Sequence, residues 1–284
     1  SGDMVAALRA KDLKVPMVTN RDYTLPNFIT SNSLVICESY SGNTEETLAS
    51  YADARKRGAR IVCITSGGKL SEMAKNDGVD VITVPGGQPP RSATGYMFIP
   101  MMFVLEKLGI VPPISGQLPD ALELLKKSRE EWKPEVASDD NECKLLAREM
   151  YERIPIIYGS TGITGVIAFR WKSQFNENAK VHAFWNSFPE LNHNEIMGWE
   201  LASLESEQFA AIFIRDPEDK SRIADRIRIT STLIPRGFMT RDIQLRGKNC
   251  LEKLLWGFYL GDLASVYLAF CYNIDPTKIT GIDR

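Results

Sequence analysis

Apolar residues along the chain fall into short continuous runs, separated by stretches in which they recur every three or four positions. That pattern predicts strands alternating with helices. Strands are expected at 32–38, 60–65 and 79–84, with helices near 44–57 and 69–76 between them. Alternation of this kind gives a parallel sheet with helical crossovers, and continuous apolar strands suit a sheet covered on both faces. The run PGGQPPR at 85–91 suits neither helix nor central strand, and an apolar helix is expected after it at 96–108. A charged segment at 118–152 predicts helices, too amphipathic for a loose tether, linking two halves.

The pattern then resumes with a strand at 154–159, a glycine turn, a helix to about 176, strands at 180–185 and 208–215, a helix at 220–234, a strand at 237–244 and an apolar helix from Cys250. The expected architecture is α/β, with two doubly wound parallel-sheet domains at 1–117 and 153–284. Two similar units suggest an internal duplication. The first reads as lacking its first strand, because residue 1 falls where a helix should start.

Composition changes this picture little. The chain has 284 residues, 44% apolar and 25% charged, with a net charge of −2. Basic residues are scattered among acidic ones, which argues against nucleic acid as a partner and for a small anionic ligand. Five cysteines, Cys37, Cys63, Cys143, Cys250 and Cys271, show no metal-ligand spacing and read as reduced core residues of a cytoplasmic protein. Residues 254–272 carry a single charge, Asp262, and approach the length of a membrane span. Gly257, Gly261 and Asp262 favour instead a helix buried all round, inside the fold or between subunits. No membrane is expected as a partner.

Ser39-Tyr40-Ser41-Gly42-Asn43-Thr44 follows an apolar strand and opens a helix. Hydroxyls and backbone amides converging on a helix N-terminus suit an anion, and a phosphate monoester chiefly accepts hydrogen bonds. The plainer reading is a helix start capped by Asn43 or Thr44, with Glu45 and Glu46 favoured by the helix dipole. Three hydroxyls in six residues exceed what one cap requires, and open α/β sheets bind ligands at the carboxyl ends of their strands.

Four motifs occur in order: SYSGNTEETL at 39–48, PPRSATG at 89–95, QFNENAK at 174–180 and PELNHNEI at 189–196. Together they resemble the bifunctional phosphoglucose/phosphomannose isomerases, a SIS-domain family, along essentially the whole chain. The resemblance implies that Ser39, Ser41 and Thr44 hold the substrate phosphate, that Arg91 sits over the reacting carbons, that Glu177 is the catalytic base and that His193 assists ring opening. It also implies a homodimer in which that histidine reaches the site from the partner subunit. Thr277, or less favourably Thr280, matches a threonine bearing on substrate range. The family's Gly-Gly-Ser turn would lie just before residue 1, with Ser1 as its remainder, and its catalytic lysine a few residues after Asp283.

The chemistry suits these residue types. Moving a carbonyl between C1 and C2 requires one base that removes and returns a proton through a cis-enediol, and a carboxylate can do both. A fixed guanidinium stabilises the enediolate, and histidine works near neutral pH. Glu190 or Glu195 could orient His193, whereas His182 falls in an expected strand and reads as structural. No cofactor or metal is needed, and the His and Cys residues lack ligand spacing. The turn GSTGITG at 159–165 does not fit GxGxxG and reads as close packing or subunit contact. Two further readings stay open: a non-catalytic sugar-phosphate-binding regulatory module, and an amino-sugar phosphate isomerase.

Overall fold

Continuous apolar runs become the strands of two separate parallel sheets. The computed structural model describes residues 1–200 and 208–279. The chain divides into two units, Ser1–Ile114 and Ser115–Arg284.

In the first unit, α1 (Gly2–Leu8) precedes β1 (Leu34–Glu38), α2 (Glu45–Lys56), β2 (Arg60–Thr65), α3 (Gly68–Asn76) and β3 (Asp80–Thr83). The strands pair in the order β1-β2-β3, all parallel, with Cys37 opposite Cys63. Tyr51 of α2 and Leu70 and Ala74 of α3 pack with those cysteines into a core cluster, as crossover helices must when the sheet has no polar face. After β3 a 3₁₀ turn (Pro90–Ser92) leads into α4 (Thr94–Lys107).

The second unit begins with α5 (Leu118–Trp132) and α6 (Glu142–Met150), so the charged segment at 118–152 is helical as expected. There follow β4 (Ile154–Ser160), α7 (Ile163–Gln174), β5 (Phe184–Phe188), β6 (Phe209–Arg215), α8 (Ser221–Leu233), β7 (Met239–Gln244) and α9 (Cys250–Cys271). Their sheet runs β5-β4-β6-β7, again parallel. The apolar runs of β4 and β6 occupy its centre and are its most buried strands.

Among the described residues α9 alone is long and apolar enough to cross a membrane. It is packed against α5, α6 and α7. Its one mid-helix charge, Asp262, accepts Nε and Nη2 of Arg170 at 3.0 and 2.7 Å, and burial pushes that carboxyl upward despite the guanidinium. Gly261 admits the Trp171 indole, whose Nε1 donates to the Gly257 carbonyl at 2.7 Å, and Gly257 itself lies against Ile167 and Leu245.

Three expectations are corrected. The strand expected at 180–185 forms instead at Phe184–Phe188, because α7 continues as a π-helical turn (Phe175–Ala179) and Lys180 then turns left-handed, at φ +58°. His182 therefore lies in an exposed connection and not in a strand. Cys37, Cys63 and Cys143 are buried as expected, whereas Cys250 and Cys271, at the two ends of α9, are exposed.

Candidate active site

Within the first unit the loop 39–44 leaves the carboxyl end of β1 and enters α2. Ser39 is buried, and its Oγ accepts the amides of Gly42 at 3.0 Å and Thr44 at 3.4 Å while sharing a 2.7 Å hydrogen bond with the Thr44 hydroxyl. Ser41 is exposed and accepts the Asn43 amide at 3.3 Å. Thr44 occupies the N-cap position of α2, but its side chain makes no capping hydrogen bond, and the Asn43 side-chain oxygen accepts from Lys69 N at 3.1 Å instead. Neither residue acts as an ordinary cap. All three candidate hydroxyls thus gather at the N-terminus of a helix, where the dipole favours negative charge.

Two other loops complete this end of the sheet, the 85–91 loop singled out from sequence and a second, after β2, that is not. Thr65-Ser66-Gly67 follows β2, and its backbone interlocks with the first loop at two glycines. Gly42 has φ +70°, and a Cβ there would stand 1.8 Å from the Gly67 carbonyl oxygen; Gly68, at φ +68°, would meet that of Ser41 at 2.4 Å. The Ser66 hydroxyl donates to the Tyr40 carbonyl at 2.6 Å. Tyr40 then ties in the loop after β3: its hydroxyl donates to the Pro85 carbonyl at 2.9 Å and accepts the Gln88 amide at 3.1 Å. Arg91, half-buried in the 3₁₀ turn that ends this loop, is thereby held on the segment bonded to Tyr40. Behind the loop, burial pushes the Glu38 carboxyl upward.

In the second unit Glu177 sits in the π-helical turn, partly exposed. Asn178 anchors that turn to α9 through Ser265 Oγ at 2.8 Å. Lys180 links it to the segment after α9, where Thr277 donates from its amide, at 2.9 Å, and its hydroxyl to the Asp275 carboxylate. Glu177 and Thr277, candidates 100 residues apart in sequence, thus belong to one cluster. Thr280 and Asp283 lie outside the described residues.

His193 ends a 3₁₀ turn (Glu190–His193) and is exposed; among the described residues its ring makes no hydrogen bond. Its turn is fixed by neighbours. Asn192 donates to Thr230 Oγ1 at 3.0 Å, and Glu195 accepts from Tyr158 OH at 2.8 Å and from Asn186 Nδ2. Tyr158, whose hydroxyl pKa is raised by burial and by that carboxylate, also accepts Trp199 Nε1 at 3.2 Å. Glu190 accepts the Asn194 side-chain amide at 3.4 Å. Both carboxylates therefore brace the loop, and neither contacts the imidazole. The 159–165 turn takes its packing reading: a Cβ on Gly159 would lie 2.3 Å from the Thr164 carbonyl oxygen.

Parallel sheets with a hydroxyl-rich turn at the strand ends define an α/β protein of the SIS class. Residues 139–284 match the family model described as the bacterial phospho-glucose isomerase C-terminal SIS domain. A glucose-6-phosphate isomerase like protein from Thermus thermophilus shares the fold, with a TM-score of 0.58 at 19% identity, covering 89% of this chain and 85% of that one. A bifunctional phosphoglucose/phosphomannose isomerase from Caldicellulosiruptor bescii is 45% identical over 99% of this chain and 84% of its own. A D-glucosamine-6-phosphate 4-epimerase from Sulfolobus acidocaldarius is 32% identical over 100% of this chain and 84% of its own. The chain belongs to the bifunctional phosphoglucose/phosphomannose isomerase family.

Proposed function

We propose that this protein interconverts fructose 6-phosphate with glucose 6-phosphate and with mannose 6-phosphate, as a cytoplasmic homodimer built from two SIS-type domains per chain. The observation that carries the reading is the 45% identity, along 99% of the chain, to an enzyme named for both activities. Ser39, Ser41 and Thr44 hold the phosphate, and the α2 N-terminus adds its amides and dipole. Phosphate capture fixes one end of the open-chain sugar, so that C1 and C2 meet the base in a productive orientation.

Glu177 removes the proton from one of these carbons and returns it to the other, and Arg91 stabilises the negative charge on the enediolate oxygens. His193, contributed by the partner subunit, opens the sugar ring by moving a proton between the ring oxygen and the anomeric hydroxyl. Its exposure and its lack of a hydrogen-bond partner within the described residues support delivery across an interface. Thr277 leaves room at C2 for either configuration, which dual use of the aldoses requires.

The 32% identical epimerase favours a second reading, chemistry on an amino-sugar phosphate. One assay separates the two: supply fructose 6-phosphate and, separately, glucosamine 6-phosphate, and follow all products. Both aldoses should form from fructose 6-phosphate, and Glu177→Gln should lower both rates together by about 10²- to 10⁴-fold. Turnover of glucosamine 6-phosphate alone would replace the isomerase reading. Undiminished turnover in the variant would remove Glu177 as base.

A further inference from the structure

Lys180 closes the π-helical turn that carries Glu177. Its amide donates back to the Phe175 carbonyl, and its side chain folds over the end of the turn, with Nζ 2.6 Å from the Glu177 carbonyl oxygen and 3.3 Å from that of Asn178. A cation over the free carbonyls of a helical C-terminus is common, and so far the arrangement needs no role beyond capping. The same ammonium, however, lies 3.4 Å from the carbonyl oxygens of both Asp275 and Pro276, 95 and 96 residues further along. Capping does not require that reach.

An ammonium has three protons, so these four carbonyls among the described residues already exceed its donors, and the shortest contact falls on Glu177, the proposed base. On the far side, Asp275 accepts both the amide and the hydroxyl of Thr277. These hydrogen bonds from Thr277 hold the Asp275 carboxyl below its usual range, with Lys278 and Lys180 contributing. A continuous polar path therefore runs from the Glu177 backbone through Lys180 to Thr277.

We propose that Lys180 is a positioning residue that sets the Thr277 segment against the Glu177 turn and so controls how the enediol partitions between the two aldoses. The proposal rests on the isomerase reading above. Proton return to C2 on one face or the other decides between the glucose and mannose configurations. That choice depends on where the sugar's C2 oxygen is held relative to the base, and displacements of about 1 Å suffice to change rates by up to 10²-fold. Lys180 touches no reacting atom in this scheme.

The test compares wild type with Lys180→Met, which keeps the apolar stem and loses the donors, and Lys180→Arg, which keeps charge and donors. The readouts are kcat and KM for fructose 6-phosphate, the initial-rate ratio of mannose 6-phosphate to glucose 6-phosphate, and hydrogen exchange at the Thr277 amide. Lys180→Met should lower kcat roughly tenfold, move the product ratio by about threefold or more and speed exchange at Thr277, with KM within about twofold. Lys180→Arg should recover part of each change. A wild-type product ratio and wild-type Thr277 exchange in a folded Lys180→Met protein would overturn the proposal, as would a lowered Tm with an unchanged ratio. Should the wild type make neither aldose, the isomerase reading and the partition role fail together, while the Thr277 exchange rate still decides whether the link holds the segment.

Discussion

Ser39 and Ser41 stand two residues apart and have different surroundings. Ser39 is buried with two backbone amides and the Thr44 hydroxyl on its oxygen, so removing that oxygen leaves Thr44 N without its acceptor and Gly42 N with only the Ser39 carbonyl, at 3.1 Å. Such a loss costs about 1–3 kcal/mol. Ser41 is exposed, and among the described residues its hydroxyl is engaged by the 3.3 Å bond from Asn43 N. Ser39→Ala should therefore lower Tm and raise KM for fructose 6-phosphate, whereas Ser41→Ala should raise KM about tenfold with Tm unchanged. Thermal melts beside steady-state kinetics distinguish them, and equal Tm losses in both would remove the difference in role. The hydroxyl set is readable from residue type and spacing alone. Tyr40 is not, since a tyrosine in a loop carries no signal until the loop after β3 is seen to end against its hydroxyl. Ser66 stays hidden for the same reason.

At the scale of elements, the α7–α9 contact shows what periodicity conveys and what it omits. The apolar run from Cys250 predicts a long buried helix, which α9 is, and its glycines argue only weakly against a membrane span. Their purpose becomes visible in the packing: a Cβ on Gly261 would stand 2.2 Å from Trp171 Nε1, and one on Gly257 would stand 2.7 Å from Ile167 Cδ1. Alanine is the better helix former by about 1 kcal/mol, while overpacking costs about 1–3 kcal/mol. Gly261→Ala should therefore destabilise the protein in a denaturant titration, and a gain in stability would show that the indole can move aside. The displaced β5 is a second case. A polar run such as FNENAK offers no period that separates an α-helical end from a π turn, so the expected strand starts at 180 and the real one at Phe184.

For the whole molecule, the likeness to both an isomerase and an epimerase over nearly the full chain shows that the fold does not by itself fix the reaction. A shared site across a two-fold axis makes a sharper demand. If Glu177 and His193 of one site come from different subunits, mixing Glu177→Gln and His193→Ala proteins, each nearly inactive, should regenerate one intact site in every mixed dimer. Subunit exchange should then restore about a quarter of wild-type activity, because half of the dimers are mixed and each has one good site of two. Activity that stays at the sum of the separate variants would put both groups on one chain.

From its own pattern the sequence determined the order of strands and helices, the parallel sheets, the buried character of α9 and the hydroxyl loop at the start of α2. All of these follow from hydrophobic period and turn chemistry, which act between near neighbours. Only the tertiary structure decided that the loops after β1, β2 and β3 bond to one another through Tyr40 and Ser66. It alone brought Lys180 to Asp275 and Pro276, and engaged Glu195 with Tyr158 and Asn186 rather than with His193. Such contacts join residues whose identities leave no periodic trace, and they exist only once packing has brought the strand ends together.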